Sequence, residues 1–181
     1  MNKSDQTLIK KILKGDTAAS KLLYMRYEQS WFQICLRYGR NRSEAQDILQ
    51  EGVLQLFKVL NKFNAERGVF KSWSSKVIVN AALQYLKRNQ WQQSFEDLSI
   101  VENKADWSVQ IMEKISAKEL TLIIQTLPSG YRVVFNMYAI EGYSHREIAE
   151  TLNISIGTSK SQLSKAKRLL RAKLKVLYVI N

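Results

Sequence analysis

Lys160, Ser161, Ser164, Lys165 and Arg168 recur at the three- and four-residue steps of one helical face. Cations interleaved with hydroxyls suit contacts to phosphate oxygens and base edges rather than the making and breaking of bonds. The opposite stripe of the same helix carries Ile156, Leu163, Ala166, Leu170, Leu174 and Leu177, so one face is built for burial and the other for a partner. From Thr151 to the last residue there is no Asp or Glu, against seven Lys or Arg. A helix must be held to present such a face, and the preceding residues supply the holder. Ser144-x-x-Glu147 has the form of a capping box, and Ile148, Ala149 and Leu152 follow on one helical face. Asn153, Ile154 and Ser155 then break the period with turn-forming side chains. A short helix, a tight turn and a longer basic helix make the layout of a helix-turn-helix that reads the DNA major groove.

Other chemistries lack their residues. The sequence holds one histidine, His145, inside the start of a helix, and one cysteine, Cys35, far from it and among apolar neighbours. A single cysteine excludes an internal disulfide. There is no paired Cys/His spacing for a metal, no glycine-rich phosphate loop and no catalytic constellation. The expectation is a binding protein, not an enzyme, with no cofactor and no metal. No stretch has the form of a signal peptide, and no apolar run approaches the roughly 18 residues of a membrane span. A cytoplasmic protein without membrane insertion is expected.

The net charge of +12 over 181 residues and the pI near 9.8 favour a polyanionic partner. The charge is not evenly spread. Residues 1–95 carry 16 basic and 7 acidic side chains, 96–127 carry 3 and 6, and 128–181 carry 9 and 3. Two basic blocks joined by an acidic segment imply two separate nucleic-acid contacts. One proline, seven glycines and no run of alternating strand character indicate an all-α fold. The division expected is two small helical domains, 1–93 and 112–181, joined by an acidic linker, 94–111.

Along the chain, Ser4 is placed to cap a first helix bearing Leu8, Ile9, Ile12 and Leu13 that Gly15 ends. Asp16 caps a second, through Leu23, Tyr27, Trp31, Ile34 and Tyr38 to Gly39. Ser43-x-x-Gln46 opens a third, with Ala45, Ile48, Leu49, Val53 and Leu56 inward and Asp47, Gln50 and Glu51 outward. Residues 61–70 lack a helical period and form a loop. A helix from Lys71 to about Asn89 follows, and another period runs from Ile111 to Leu127, with Pro128 at the start of the next helix.

The string LP-x-x-YR-x-VF, followed by EG-x-S-x-x-EIA-x-x-L-x-IS-x-GT-x-KS-x-L-x-x-AK, resembles region 4, the promoter-reading region of bacterial sigma factors. It is most similar to the small two-domain extracytoplasmic-function (ECF) group of the sigma-70 family. The opening LI-x-x-I-x-x-GD-x-x-A-x-x-x-LY, then AQDILQEG-x-L-x-LF and F-x(6)-F-x-x-W-x(4)-I-x-N-x-x-x-x-YL-x-R, resemble region 2 of the same group. The likeness spans nearly the whole chain except the linker.

That resemblance implies a specificity adaptor for core RNA polymerase, touching the clamp helices of its largest subunit and its flap. It also implies promoter DNA and an anti-sigma factor as partners. By the same resemblance Asp47, Gln50 and Glu51 contact polymerase. Phe63, Phe70, Trp73 and Asn80, with the loop between the two phenylalanines, capture a base of the −10 element, and Arg88 lies near the DNA backbone. On the −35 element, Lys160, Ser161, Ser164 and Lys165 are expected on base edges and Thr158 and Arg168 on phosphates, while Gln162 could do either. Ser159 departs from the family's apolar β-branched residue and Gln162 from its arginine, which bears on the sequence read and not on membership. Two other classes stay open on the residues alone: a stand-alone helix-turn-helix regulator, and a structural protein with no sequence-specific DNA contact.

Overall fold

The computed structural model describes residues 3–89 and 116–179, and every regular element among them is helical. Two compact units divide the chain, Met1–Asn89 and Gln90–Asn181. The expected linker, 94–111, and the predicted helical start at 111–115 lie outside the described residues.

The first unit is a four-helix bundle: α1 (Lys3–Ile12), α2 (Thr17–Tyr38), α3 (Arg42–Lys58) and α4 (Phe70–Arg88). Asp16 caps α2 as expected, accepting from the Ala19 amide at 2.9 Å. The other two caps differ from expectation. Helix α1 begins at Lys3, so Ser4 lies inside it. Helix α3 is capped by Asn41, which accepts from the Glu44 amide at 2.9 Å, leaving Ser43 within the first turn. Asn41 wins because its carboxamide sits one residue before the turn, in extended backbone, where it can reach the third amide.

The bundle interior is made by Leu23, Trp31, Cys35, Tyr38, Ile48, Leu56, Leu60 and Ile78. Burying each large apolar side chain contributes on the order of 1.5–3 kcal/mol. Trp31 satisfies its indole N–H by donating to the Ser74 hydroxyl at 3.1 Å, which ties α2 to α4. Helices α3 and α4 cross closely because position 52 is glycine. A Cβ there would meet the Ile78 side chain at 2.9 Å, inside van der Waals contact. Between them the predicted loop begins with one 3₁₀ turn, Leu60–Lys62, and α4 starts at Phe70 rather than Lys71.

The second unit holds α5 (Ala117–Gln125), α6 (Ser129–Phe135) with a π turn (Asn136–Ile140), α7 (His145–Leu152) and α8 (Ile156–Val179). Helix α5 opens with a capping box the sequence reading missed, formed by Ser116 and Glu119. Pro128 stands immediately before α6, as its fixed φ favours. The YR pair of the family string is interior. Tyr131 and Arg132 are each 1% exposed. The Arg132 guanidinium donates to the carbonyls of Gln125 at 3.1 Å and Leu127 at 3.2 Å, filling acceptors that the end of α5 leaves open. The π turn closes with the Glu141 amide on the Asn136 carbonyl at 3.0 Å. Gly142, at φ +79°, then reverses the chain into α7, a conformation costly for any residue with a Cβ.

Candidate nucleic-acid interface

The helix-turn-helix is set by three local devices. Ser144 accepts from the Glu147 amide at 3.3 Å while the Glu147 carboxylate accepts from the Ser144 amide at 2.7 Å, so the expected box closes α7. Asn153 takes the left-handed conformation, φ 55° and ψ 50°, and returns its N–H to the Ala149 carbonyl. Asn tolerates that region better than other side chains, which is why the helix stops there. Ser155 then accepts from the Thr158 amide at 2.9 Å and starts α8. Behind the turn, Ile148, Ala149 and Leu152 of α7 and Leu163, Ala166, Leu170 and Leu174 of α8 are all buried, where α8 packs on α6 and α7.

This packing fixes which face of α8 looks outward. Lys160, Ser161 and Ser164 are exposed, and Thr158, Lys165 and Arg168 are half-buried. The Ser161 hydroxyl donates to the Thr158 carbonyl at 3.0 Å, leaving its lone pairs outward. These residues cluster in the first turns of α8, the part of a recognition helix that reaches base edges. Two expectations for this helix are corrected. Ile156 is exposed and not part of the buried stripe. Gln162 is 3% exposed and its Oε1 is buried without a hydrogen-bond partner among the described residues, which sets it apart from the outward row. Three residues after the fully buried Ser159 and four before Ala166, it lies on the row that faces the unit's interior. Leu177 lies where no side chain is described.

His145 begins α7, and its Nδ1 lies 2.9 Å from the Ser159 hydroxyl on α8. Its ring stacks on Tyr138, with centroids 4.5 Å apart and planes inclined at 24°. Burial, then the nearby Lys160 and Lys167 cations, hold the imidazole below its ordinary pKa. Sequence reading placed His145 inside the start of a helix; the pairing with Ser159 depends on two helices meeting and has no sequence signal.

In the first unit, Phe63, Phe70, Trp73 and Tyr27 form one aromatic cluster, with Phe63 and Phe70 edge-on at 5.3 Å. Phe70 is its centre and is only 2% exposed, packed by rings on several sides, unlike the other residues expected at the −10 site. Phe63 and Trp73 are half-buried beside it, and Asn80 and Arg88 are exposed on α4. On α3, Asp47 and Gln50 are exposed and Glu51 is half-buried. Two of these acids are engaged by α4: Tyr85 donates to Asp47 at 3.4 Å, and Arg88 is ion-paired to Glu51. Gln50 lines a groove of about 720 Å³ between α2 and α3, walled also by Tyr24, Phe32 and Leu49. Met25 and Leu54 on its rim are 63% and 68% exposed, an apolar surface that the polar residues alone did not announce. No group of three or more His, Cys, Asp or Glu side chains that could hold a metal occurs among the described residues.

A helical bundle and a capped helix-turn-helix with a basic outward row make a two-module protein. Residues 23–92 match the family described as Sigma-70 region 2, and residues 117–170 match Sigma-70, region 4. The ECF RNA polymerase sigma-E factor of Escherichia coli (strain K12) is 25% identical over 185 residues, covering 96% of both chains. That of Haemophilus influenzae is 25% identical over 186 residues, covering 96% of this chain and 97% of the relative. The sigma factor RpoE of Bartonella quintana, solved in complex with the anti-sigma factor NepR, shares the fold with a TM-score of 0.50. It is 18% identical and covers 86% of this chain and 96% of its own. The chain belongs to the extracytoplasmic-function sigma factors of the sigma-70 family, which direct promoter-specific transcription initiation with RNA polymerase.

Proposed function

We propose that the second unit reads the −35 element through Lys160, Ser161, Ser164 and Lys165, with Thr158 and Arg168 on the flanking phosphates. The observation that carries this is the outward row at the start of α8, set by caps at both ends of the turn, in a stretch with no acid after Glu150. Arg or Lys on guanine and hydroxyls on either base are the readout such a face can make. The first unit opens the −10 element: Phe63, Trp73 and Asn80 flank the loop that takes an unstacked base, with Arg88 on the backbone. Aromatic stacking of a base is worth roughly 1–3 kcal/mol. Asp47, Gln50 and Glu51, with the α2–α3 groove beside them, form the surface that docks on the polymerase clamp helices, and region 4 meets the flap.

The chain acts in the cytoplasm as a specificity adaptor and not as a catalyst. Each DNA contact is weak alone, and polymerase converts the second into an effectively intramolecular event. An anti-sigma factor covering these faces is the matching means of control, and the Bartonella quintana relative was solved in complex with one. In vitro transcription from a promoter pool, with core polymerase alone and with the protein added, tests the reading. New start sites that share two spaced upstream elements are expected. A specific, salt-dependent footprint by the protein alone, with no new starts, would instead make it an independent DNA reader.

A further inference from the structure

We propose that His145 is a backbone-phosphate ligand of the helix-turn-helix whose engagement is linked to proton uptake, with Ser159 and Tyr138 as its positioning residues. The inference rests on region 4 binding the −35 duplex and adds a residue that neither the family string nor the row on α8 assigns.

The geometry carries it in three steps. First, His145 is the opening residue of α7, the leading helix of the helix-turn-helix, and in such motifs that helix crosses the DNA backbone while the second enters the groove. Second, the ring is held rather than free. Tyr138 from the π turn covers one face at 4.5 Å, and the fully buried Ser159 hydroxyl engages Nδ1 at 2.9 Å. In the neutral tautomer that carries its proton on Nε2, Ser159 donates to Nδ1, and the Nε2–H, with no hydrogen-bond partner among the described residues, is the donor offered to a phosphate oxygen. Third, the surroundings are cationic. Lys160 and Lys167 of α8 lower the proton affinity of the imidazole, and the Lys167 ammonium lies 5.9 Å from the Tyr138 ring centre. The two acids of α7 have partners of their own: Glu147 folds back on Ser144, and Glu150 pairs with Arg146. Glu141, at the end of the π turn, is the remaining acid of the neighbouring elements.

Without DNA the balance favours the neutral ring, because burial and two lysines oppose a further charge. A phosphate at Nε2 reverses the sign of the local field. The cationic imidazolium then becomes the better ligand, and Ser159 rotates its hydroxyl to accept from Nδ1–H. Every pKa unit by which the phosphate raises the group strengthens binding about tenfold at the acidic limit. Affinity therefore rises as pH falls toward the free-state pKa, with at most one proton taken up. The departure at Ser159 acquires a role here: an apolar residue at that position could not serve both protonation states.

The test uses the full chain with core polymerase on a promoter duplex, measuring equilibrium binding from pH 8 to pH 6 for wild type, His145→Gln and His145→Arg. Comparison of variants cancels the pH response of polymerase itself. Wild type should gain about threefold to tenfold more affinity on acidification than His145→Gln. His145→Arg, charged throughout, should hold the tighter binding at both ends. The salt slope of wild type should steepen by about one between pH 8 and pH 6, and that of His145→Gln should not change. Specific binding with the same pH profile and salt slope in wild type and His145→Gln overturns the His145 proposal alone. Loss of specific promoter binding in wild type as well would overturn the −35 reading beneath it.

Discussion

Arg132 offers the sharpest test of how the second unit is held. Its guanidinium is 1% exposed and donates to the Gln125 and Leu127 carbonyls at 3.1 and 3.2 Å. Arg132→Met keeps the length and apolar stem but removes both donors, leaving two main-chain acceptors without them at the end of α5. Each buried orphan costs about 1–3 kcal/mol, while release of a desolvated cation returns part of that. The net expected loss is about 2–4 kcal/mol. For a unit of this size that corresponds to a fall of roughly 10–30 °C in its melting temperature. Arg132→Lys should recover part of the loss, since an ammonium supplies donors but lacks the planar guanidinium that holds Nη1 between the two carbonyls. Hydrogen exchange by mass spectrometry separates the units. Peptides from 116–135 should lose protection in Arg132→Met, and those from 3–89 should keep it. Unchanged protection in 116–135 would refute the reasoning, and the arginine of the family string would then need a role outside the fold.

Three further outcomes follow from single environments. Gln162→Leu should stabilise the second unit by about 1 kcal/mol, because it removes a buried oxygen that has no partner, and should leave the promoter sequence selected unchanged; altered base preference in a selection experiment would restore Gln162 to the interface. Cys35, whose thiol burial pushes up to about 12, should resist iodoacetamide at pH 8 in the folded protein and react once the protein is unfolded in denaturant. Tyr27 is raised to about 12, first by burial and then by its hydrogen bond to Asp5. A raised phenol favours the folded state below its unfolded pKa of 10.0, and that contribution is lost as pH rises from 10 to 12. Subtracting the 295 nm titration of Tyr27→Phe from that of wild type should isolate this late ionisation, and Asp5→Asn should bring it earlier; a midpoint already at 10 would remove the argument.

The contrast between Ser144 and Ser43 shows what a local pattern can and cannot settle. Both begin a serine, two residues, then a glutamate or glutamine, yet only Ser144 forms the box. Asn41, two residues earlier, competes successfully at α3, and pattern alone does not rank competing caps. The same limit applies on α8. A helical period identified one buried and one basic face, but three residues near the edge of the stripe, Ile156, Ser159 and Gln162, are assigned by where α6 and α7 press against the helix. Phe70 and Phe63 are both loop-flanking phenylalanines in sequence, and only packing against Tyr27 and Trp73 makes one of them core.

By itself the sequence determined the helical class, the charge pattern of two basic blocks, the helix-turn-helix with its cap and turn, and the family. These are local matters: hydrophobic period, capping chemistry and charge act within a few residues, and each is written where it operates. Tertiary structure decided the rest. It buried Phe70, Gln162 and Arg132, joined Arg88 to Glu51 and Tyr85 to Asp47 across α3 and α4, opened the groove beside Gln50, and brought His145 onto Ser159 fourteen residues away. Such pairings depend on the angle and depth at which two helices meet, which is fixed by the summed packing of many side chains and by single spacings such as Gly52.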